Sequence, residues 1–211
     1  DSKRYGEQAK ILYADCRKLL ERIISDKKLT AKAVIGFYPA YAKDETVYAE
    51  NMEFHFPRQL IDKGIDDSNY SLADFIAPSN DYIGIFAVTT GYGVEKLVTK
   101  YKKQNDDYNA IMVKIIADRL AEALAEQLHE KVRREFWGYA YDEVLNTEEL
   151  IKAKYLGIRP APGYPACPDH SEKDKIWKIL SVKENTGIKL TETRAMIPAA
   201  SVCGWYFSHP K

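Results

Sequence analysis

The chain has 211 residues, of which 45% are hydrophobic and 29% charged, and its 31 basic and 31 acidic side chains give a formal net charge of zero. These values are typical of one globular domain, and a neutral chain lacks the bulk positive charge that binding to nucleic acid requires. Because no stretch approaches the ~20 apolar residues of a membrane span and no signal peptide opens the sequence, we expect no membrane partner and a cytoplasmic location.

The first half of the chain predicts one helix followed by several strands. Apolar residues at helical spacing predict an amphipathic helix over residues 5–24. Short β-branched and aromatic runs predict three strands, at 33–38, 46–48 and 52–56. A charged turn at 43–45 joins the first two as a hairpin, a short helix is expected to begin at 56–60, and a polar loop follows at 64–68. The most continuous apolar run, 81–89, predicts a central strand.

The second half is dominated by one long helix. A helical stripe of apolar residues extends over 106–137, and a shorter helix is expected before it at 94–101. The further elements are expected in this order: a capping box and short helix at 146–153, a helix at 171–179 capped by Ser171, and strands at 191–193 and 199–207. Because strands and helices alternate unevenly, the sequence predicts an α+β domain with a twisted, mainly antiparallel sheet flanked by helices and one long central helix.

Residues 159–173 form a proline-rich segment that interrupts this pattern. The segment contains Arg159 and four prolines, at 160, 162, 165 and 168. Proline fixes its own φ and disfavours helix in the residue before it, so the segment is expected to be a stiff, extended loop. Such a loop either crosses the surface as a plain connector or presents backbone groups to a ligand at fixed positions.

Three other motifs indicate chemistry only weakly. The Gly-Tyr-Gly of residues 91–93 precedes a helix but lacks the third glycine of a dinucleotide-binding fingerprint. Cys167 and His170 have a spacing that suits two metal ligands, but a structural zinc site needs four donors, and Pro168 disfavours a Cys–His nucleophile pair. His129, on the long helix, is interpreted as structural or solvated. We therefore expect no catalytic residue and no metal ligand in this chain.

The segment 159–173 closely resembles the Arg-x-x-x-Gly-Tyr region of the reactivation domain of cobalamin-dependent methionine synthase. Six further motifs resemble that domain in the same order: Leu-Ala-Asp-Phe-Ile-Ala-Pro at 72–78, Asp-Tyr-Ile-Gly at 81–84, Asp-Asp-Tyr-Asn at 106–109, Ala-Asp-Arg-Leu-Ala-Glu-Ala at 117–123, Phe-Trp-Gly-Tyr-Ala at 136–140 and Ser-Val-Cys-Gly-Trp-Tyr-Phe-Ser-His-Pro at 201–210. The resemblance covers nearly the whole chain. It implies a single activation domain over residues 1–211, apparently truncated at both ends.

The resemblance implies a role in repairing the enzyme. Domains of this family bind S-adenosylmethionine and support the reductive methylation of inactive cob(II)alamin to methylcobalamin, with an electron from flavodoxin or a diflavin reductase. The partners implied are that reductase and the cobalamin-binding domain of the same enzyme. Cobalamin is bound by a separate module, and zinc belongs only to another module of the full enzyme. This chain is therefore expected to be part of a methyltransferase without being catalytic alone.

The resemblance also implies which residues contact S-adenosylmethionine. Arg159 matches the family's position for holding the ligand carboxylate, a task that suits the two-pronged guanidinium group. Glu122, on the long helix, matches an acidic position expected to face the ligand ammonium. The other members of the expected site are the loop residues Pro160, Ala161, Gly163 and Tyr164. Asp118 matches a position that faces the cobalamin module.

The sequence also departs from the family pattern. An Ile-Asp-Trp-Thr-like segment before the domain and a tyrosine pair after it are not found here, and Ala153 stands where some relatives have an acid, so those ligand contacts are lost. Two other hypotheses stay open. One is a docking module for the reductase and the cobalamin domain without significant ligand binding. The other is a self-contained small-molecule methyltransferase, which the missing glycine-rich signature disfavours.

Overall fold

The computed structural model describes residues 3–60 and 69–209. The α-helices in these ranges are α1 Lys3–Ser25, α2 Val94–Lys103, α3 Asp107–Lys131, α4 Thr147–Ile151, α5 Glu172–Ile179 and α6 Val182–Thr186. The strands are β1 Thr30–Lys43, β2 Thr46–Ala49, β3 Met52–His55, β4 Asp81–Tyr92, β5 Lys189–Leu190, β6 Met196–Ile197 and β7 Ser201–Tyr206. No helix in the described part of the chain is long and apolar enough to cross a membrane.

Five of the strands form one antiparallel sheet in the order β3-β2-β1-β4-β7. The charged turn after β1 is the predicted hairpin, and Asp44 at its tip has a φ of 53°, a conformation that Asp tolerates better than most residues. The predicted central strand is also confirmed, since β4 pairs with β1 on one side and β7 on the other. The α+β class predicted from the sequence is therefore the fold observed.

Strand β4 is buried on both faces, which explains its continuous apolar run. Ile83, Ile85 and Ala87 point into a core that the sheet shares with α5, α6 and the aromatic side chains of β3 and β7. Phe86 and Val88 point to the opposite face and pack against α3. Because successive side chains of a strand alternate between faces, a strand covered by a layer on each side needs apolar residues throughout.

Helix α3 and its continuation are the longest element described, as the sequence predicted. The Asp106 side chain accepts a hydrogen bond from the Asn109 amide and so caps the helix N-terminus. At its other end the helix widens into a single π turn, Val132–Phe136, in which the Trp137 amide donates to the Val132 carbonyl at 3.0 Å. Turns of this kind are rare and are often found beside functional sites.

The loop after this π turn is tied back to it by a buried ion pair. Arg133 is fully buried and donates from Nε and Nη2 to the Glu143 carboxylate, with bonds of 2.7–3.0 Å. The Arg133 Cζ atom lies over the Tyr155 ring, 4.3 Å from its centroid. His129 is also fully buried and stacks on Tyr206, so of the two roles predicted for it, structural or solvated, the structural one is confirmed.

Two local predictions were wrong, and one lies outside the described residues. Residues 56–60 are not helical: the Phe56 amide donates to the Glu45 carbonyl at 2.8 Å, and its buried ring packs edge-on against Trp205, which keeps the chain extended. Residues 191–193 lie in the turn between β5 and β6 rather than in a strand, because the Thr191 amide and hydroxyl close that turn against residue 195. The loop predicted at 64–68 lies outside the described residues.

Both predicted helix caps occupy the expected positions, but only one acts through its side chain. Asn146 and Glu149 form the reciprocal hydrogen bonds of a capping box at the start of α4. Ser171 occupies the N-cap of α5 without accepting a bond from the helix. Its hydroxyl instead donates to the Asp169 carboxylate at 2.6 Å, which fixes the end of the proline-rich loop.

Candidate ligand-binding site

The proline-rich loop is fixed along the free edge of β7. Ile158 and Phe207 exchange both backbone hydrogen bonds, at 3.0 and 3.1 Å, and the Trp205 amide donates to the Pro160 carbonyl at 3.1 Å. Gly204 makes this approach possible, because a Cβ atom at that position would collide with the Pro160 carbonyl oxygen. The loop is therefore held by the sheet on both sides of Arg159, and the stiffness predicted from its prolines acts at a defined place.

The next turn of the loop is held by its own backbone. The Gly163 amide donates to the Cys167 carbonyl, and the Cys167 amide donates to the Tyr164 carbonyl, both at 2.8 Å. Gly163 has a φ of 99°, which an L-residue rarely adopts, and a Cβ there would collide with the His170 ring. The fold itself therefore requires glycine at position 163, because the His170 ring packs against the backbone there.

A cavity of about 420 Å³ lies between this loop, the sheet and α3. Its volume falls within the range of small-molecule sites. The loop contributes Arg159, Pro160, Ala161, Tyr164, Pro165 and Ala166, and the rest of the fold contributes Gln59, Phe86, Glu122 and Val202. The structure thus brings together five of the six residues predicted to contact the ligand, and the sixth, Gly163, is the turn residue behind them.

Arg159 is the less exposed of the two charged side chains that line this cavity. Its side chain is 16% exposed, and Nη2 donates to Oε2 of Glu126 at 3.1 Å. Nη1 is buried and has no acceptor within the described ranges. A buried guanidinium N–H without a partner is costly, so a second acceptor on this side of the arginine would stabilise the site.

Glu122 and Asp118 are both exposed and lie one helical turn apart on α3, but they border different cavities. Glu122 lines the cavity of the loop together with Arg159. Asp118 borders a neighbouring cavity of about 520 Å³, together with Lys114 and the Gly-Tyr-Gly turn of residues 91–93. Glu122 and Asp118 therefore border different cavities, and the ligand-facing role of the first and the partner-facing role of the second stay predictions.

Four residues of the site were not predicted from the sequence. Phe86 and Val202 belong to β4 and β7. In the sequence they are part of the apolar runs that predict buried strands, and such runs carry no information about a ligand. Gln59 lies in an irregular segment without a recognisable motif. Glu126 belongs to the polar face of α3, where charged residues usually face solvent. Its spacing of four residues from Glu122 was the one available signal, since it places both acids on the same side of α3.

The weaker chemistries considered from the sequence gain no support. Burial raises the pKa of the Cys167 thiol to about 12, so the thiolate needed for nucleophilic attack is not populated at neutral pH. Within residues 3–60 and 69–209, no three His, Cys, Asp or Glu side chains are grouped in a way that could hold a metal ion. Gly93 turns with a φ of 101° and packs against the Lys28 carbonyl, which gives the glycine a purely structural reason.

The antiparallel sheet, the long helix and the cavity between them define an α+β module that carries a small-molecule pocket. Comparison with known proteins gives its family. The family model described as "Vitamin B12 dependent methionine synthase, activation domain" matches residues 1–211. A crystal structure of the MetH reactivation domain bound to AdoHcy is similar to this chain, with 48% sequence identity and a TM-score of 0.94, and the match covers 100% of this chain and 68% of that one. The chain belongs to the activation-domain family of vitamin B12-dependent methionine synthase, a methyltransferase.

Proposed function

We propose that this chain is a single activation domain that binds S-adenosylmethionine in the cavity formed by the proline-rich loop, the sheet and α3. The observation that carries the proposal is the position of Arg159 and its donor left unpaired in the described part of the chain. The Arg159 backbone is fixed on both sides by β7, the residue lines the cavity, and its buried Nη1 has no acceptor among the described residues. The similarity to a reactivation domain crystallised with AdoHcy supports the same ligand class here.

The cavity offers a complement to each charged part of the ligand. The α-carboxylate would bind the guanidinium group of Arg159, which has the donors for it. The ammonium would lie toward Glu122, which lines the same cavity. The sulfonium suits the aromatic ring of Tyr164 and the carbonyls of the loop, because a cation without N–H donors is stabilised by electron density rather than by hydrogen bonds. Phe86 and Val202 supply apolar contact for the rest.

The family places this ligand in the reactivation of the enzyme. S-Adenosylmethionine would supply the methyl group that returns inactive cobalamin to methylcobalamin. The cobalamin-binding domain would be the partner that brings the cobalamin, with Asp118 on the surface that meets it, and flavodoxin or a diflavin reductase would supply the electron. Asp118 is well placed for such a contact, since it is exposed at the rim of the neighbouring cavity and has no ion-pair partner among the described residues.

Isothermal titration calorimetry of the chain with S-adenosylmethionine tests the proposal. We expect Arg159→Ala to weaken binding about 30-fold, because a charge-assisted bond in a partly buried site is lost. Arg134→Ala is the matched control, since Arg134 also pairs with an α3 glutamate but lies on the surface. Equal affinity of Arg159→Ala and the wild type would refute the role of Arg159. A wild type that does not bind the ligand would favour the docking-module hypothesis instead.

A further inference from the structure

The position of Arg159 is set in two separate ways. Its backbone is fixed by the flanking hydrogen bonds of Ile158 and Pro160 to β7. The side chain beyond it is long and has several rotatable bonds, and an arginine that is free to move loses much rotamer entropy when it binds a ligand. A fixed backbone alone therefore does not place the guanidinium group.

Glu126 supplies the second restraint. It lies on α3 between the buried residues Ala125 and Leu128, so the helix and its packing fix its backbone. Its Oε2 accepts the hydrogen bond from Arg159 Nη2, while its Oε1 and Arg159 Nη1 have no partner in the described parts of the chain. The contact thus uses one prong of the guanidinium fork, and the buried Nη1 on the other prong lacks an acceptor among the described residues.

We propose that Glu126 is a positioning residue that holds the Arg159 guanidinium group in place for the ligand carboxylate, an inference that rests on the proposed function. A guanidinium group that is already oriented loses less entropy on binding, and this is the usual way in which a supporting residue raises affinity. The geometry also indicates that Glu126 does not compete with the ligand carboxylate for the same space beside Arg159. Glu126 is not one of the described residues that line the cavity, so it reaches Arg159 from outside the space that a ligand would fill.

The ion pair also adjusts the charge of the site. With Glu126 present, the pair is neutral overall. The ligand carboxylate would then bind a guanidinium group whose positive charge is already partly compensated by the Glu126 carboxylate. A role in positioning and a role in charge compensation predict different effects for a glutamine at this position. Glutamine keeps an oxygen acceptor at the same distance but removes the charge, so a positioning role predicts that glutamine preserves most of the function of glutamate.

The test compares S-adenosylmethionine with its decarboxylated analogue, which keeps the adenosine, sulfonium and amine and lacks only the α-carboxylate. We expect Glu126→Ala to weaken binding of S-adenosylmethionine about tenfold and to change binding of the analogue less than about twofold. Glu126→Gln should recover most of the lost affinity. Glu130→Ala, the same change one turn further along α3, should change neither, because Glu130 pairs with the exposed Arg134.

Three results would overturn the proposal. Equal weakening of both ligands by Glu126→Ala would indicate general damage to the site, and tighter binding of S-adenosylmethionine would make Glu126 a competitor. Rotation about the Arg159 Nε–Cζ bond, measured from its ¹⁵N resonances without ligand, should be slow in the wild type and fast in Glu126→Ala; fast rotation in both would show no restraint. If the wild type does not prefer S-adenosylmethionine to the analogue, the proposed carboxylate site itself is refuted. If the wild type does prefer it and Glu126→Ala keeps that preference unchanged, only the role of Glu126 is refuted.

Discussion

Two arginine–glutamate pairs near the C-terminal end of α3 have the same chemistry but different geometry. Arg133 and Glu143 are 0% and 9% exposed and are joined by three hydrogen bonds. Arg159 and Glu126 are 16% and 33% exposed and are joined by one. The first pair closes a loop onto the π turn, and the second stands at the edge of a cavity.

The difference shows what distinguishes a structural arginine from one available to a ligand. Both guanidinium groups leave Nη1 without an acceptor in the described part of the chain, so an unpaired donor alone does not mark a site. The Arg133 group is sealed under the Tyr155 ring, whereas Arg159 lines a cavity. Access to open space, combined with a fixed backbone, makes the second pair the functional candidate.

Glu143→Ala is expected to have the largest effect on stability. It leaves the Arg133 charge buried without its counter-ion, and breaking a buried pair from one side lowers the free energy of unfolding by about 3 kcal/mol. Urea unfolding followed by circular dichroism measures this change. Replacing both partners with apolar residues, as Arg133→Met with Glu143→Leu, should restore most of the loss, because no charge then remains buried.

A loss below about 1 kcal/mol for Glu143→Ala would contradict the structural role assigned to this pair, since that is the range of exposed ion pairs. It would mean that water reaches Arg133 in the variant and that the loop after the π turn does not depend on the contact.

Arg159→Ala is expected to have a smaller effect on stability than Glu143→Ala, although it acts directly on the cavity. Glu126 is 33% exposed and can be solvated when its partner is removed, so the free energy of unfolding should fall by about 1 kcal/mol or less. The same urea titration measures it. A loss as large as that of Glu143→Ala would make the Arg159 pair a structural element and would weaken the distinction drawn between the two.

The fold could largely be predicted from the sequence because its main signals are periodic. The α3 stripe and the β4 run come from burial on one face and on two faces, respectively, and burial determines which residue types occur there. One failure falls where a long-range contact decides the local structure, and the other where the hydrogen bonds of a local turn do so. Residues 56–60 stay extended because Phe56 packs on Trp205, which is distant in sequence, and residues 191–193 turn because their hydrogen bonds close within the segment.

The candidate site could be predicted only in part. The loop residues and Glu122 were assigned through a family motif, and the structure places five of those six around one cavity. Glu126 was missed because an acid on the polar face of a helix has the same local pattern whether it faces water or an arginine. Only the three-dimensional position of the loop, set by β7, distinguishes the two.

A third arginine–carboxylate pair extends the comparison to the surface. Arg58 donates to both oxygens of Asp74, at 2.6 and 2.7 Å, and the two side chains are 37% and 33% exposed. Its geometry is as good as that of the buried Arg133 pair, but water competes for both charges. The hydrogen bond from Arg58 lowers the pKa of Asp74, opposed by burial and assisted by a bond from the Ser71 amide.

Asp74→Asn is therefore expected to have the smallest effect, a fall in Tm of about 2 °C at neutral pH. Because the pKa of Asp74 is lower in the folded than in the unfolded chain, its contribution is complete above the unfolded value of about 3.9 and is lost as the pH falls through the folded value. The difference in Tm between wild type and variant should be constant at neutral pH and should disappear in acid, whereas Asp142→Asn, at an exposed position, should show no such trend. At a pH where the Asp74 carboxyl is protonated in both the folded and the unfolded chain, a remaining difference in Tm would mean that the shape of the side chain, rather than its charge, stabilises this turn.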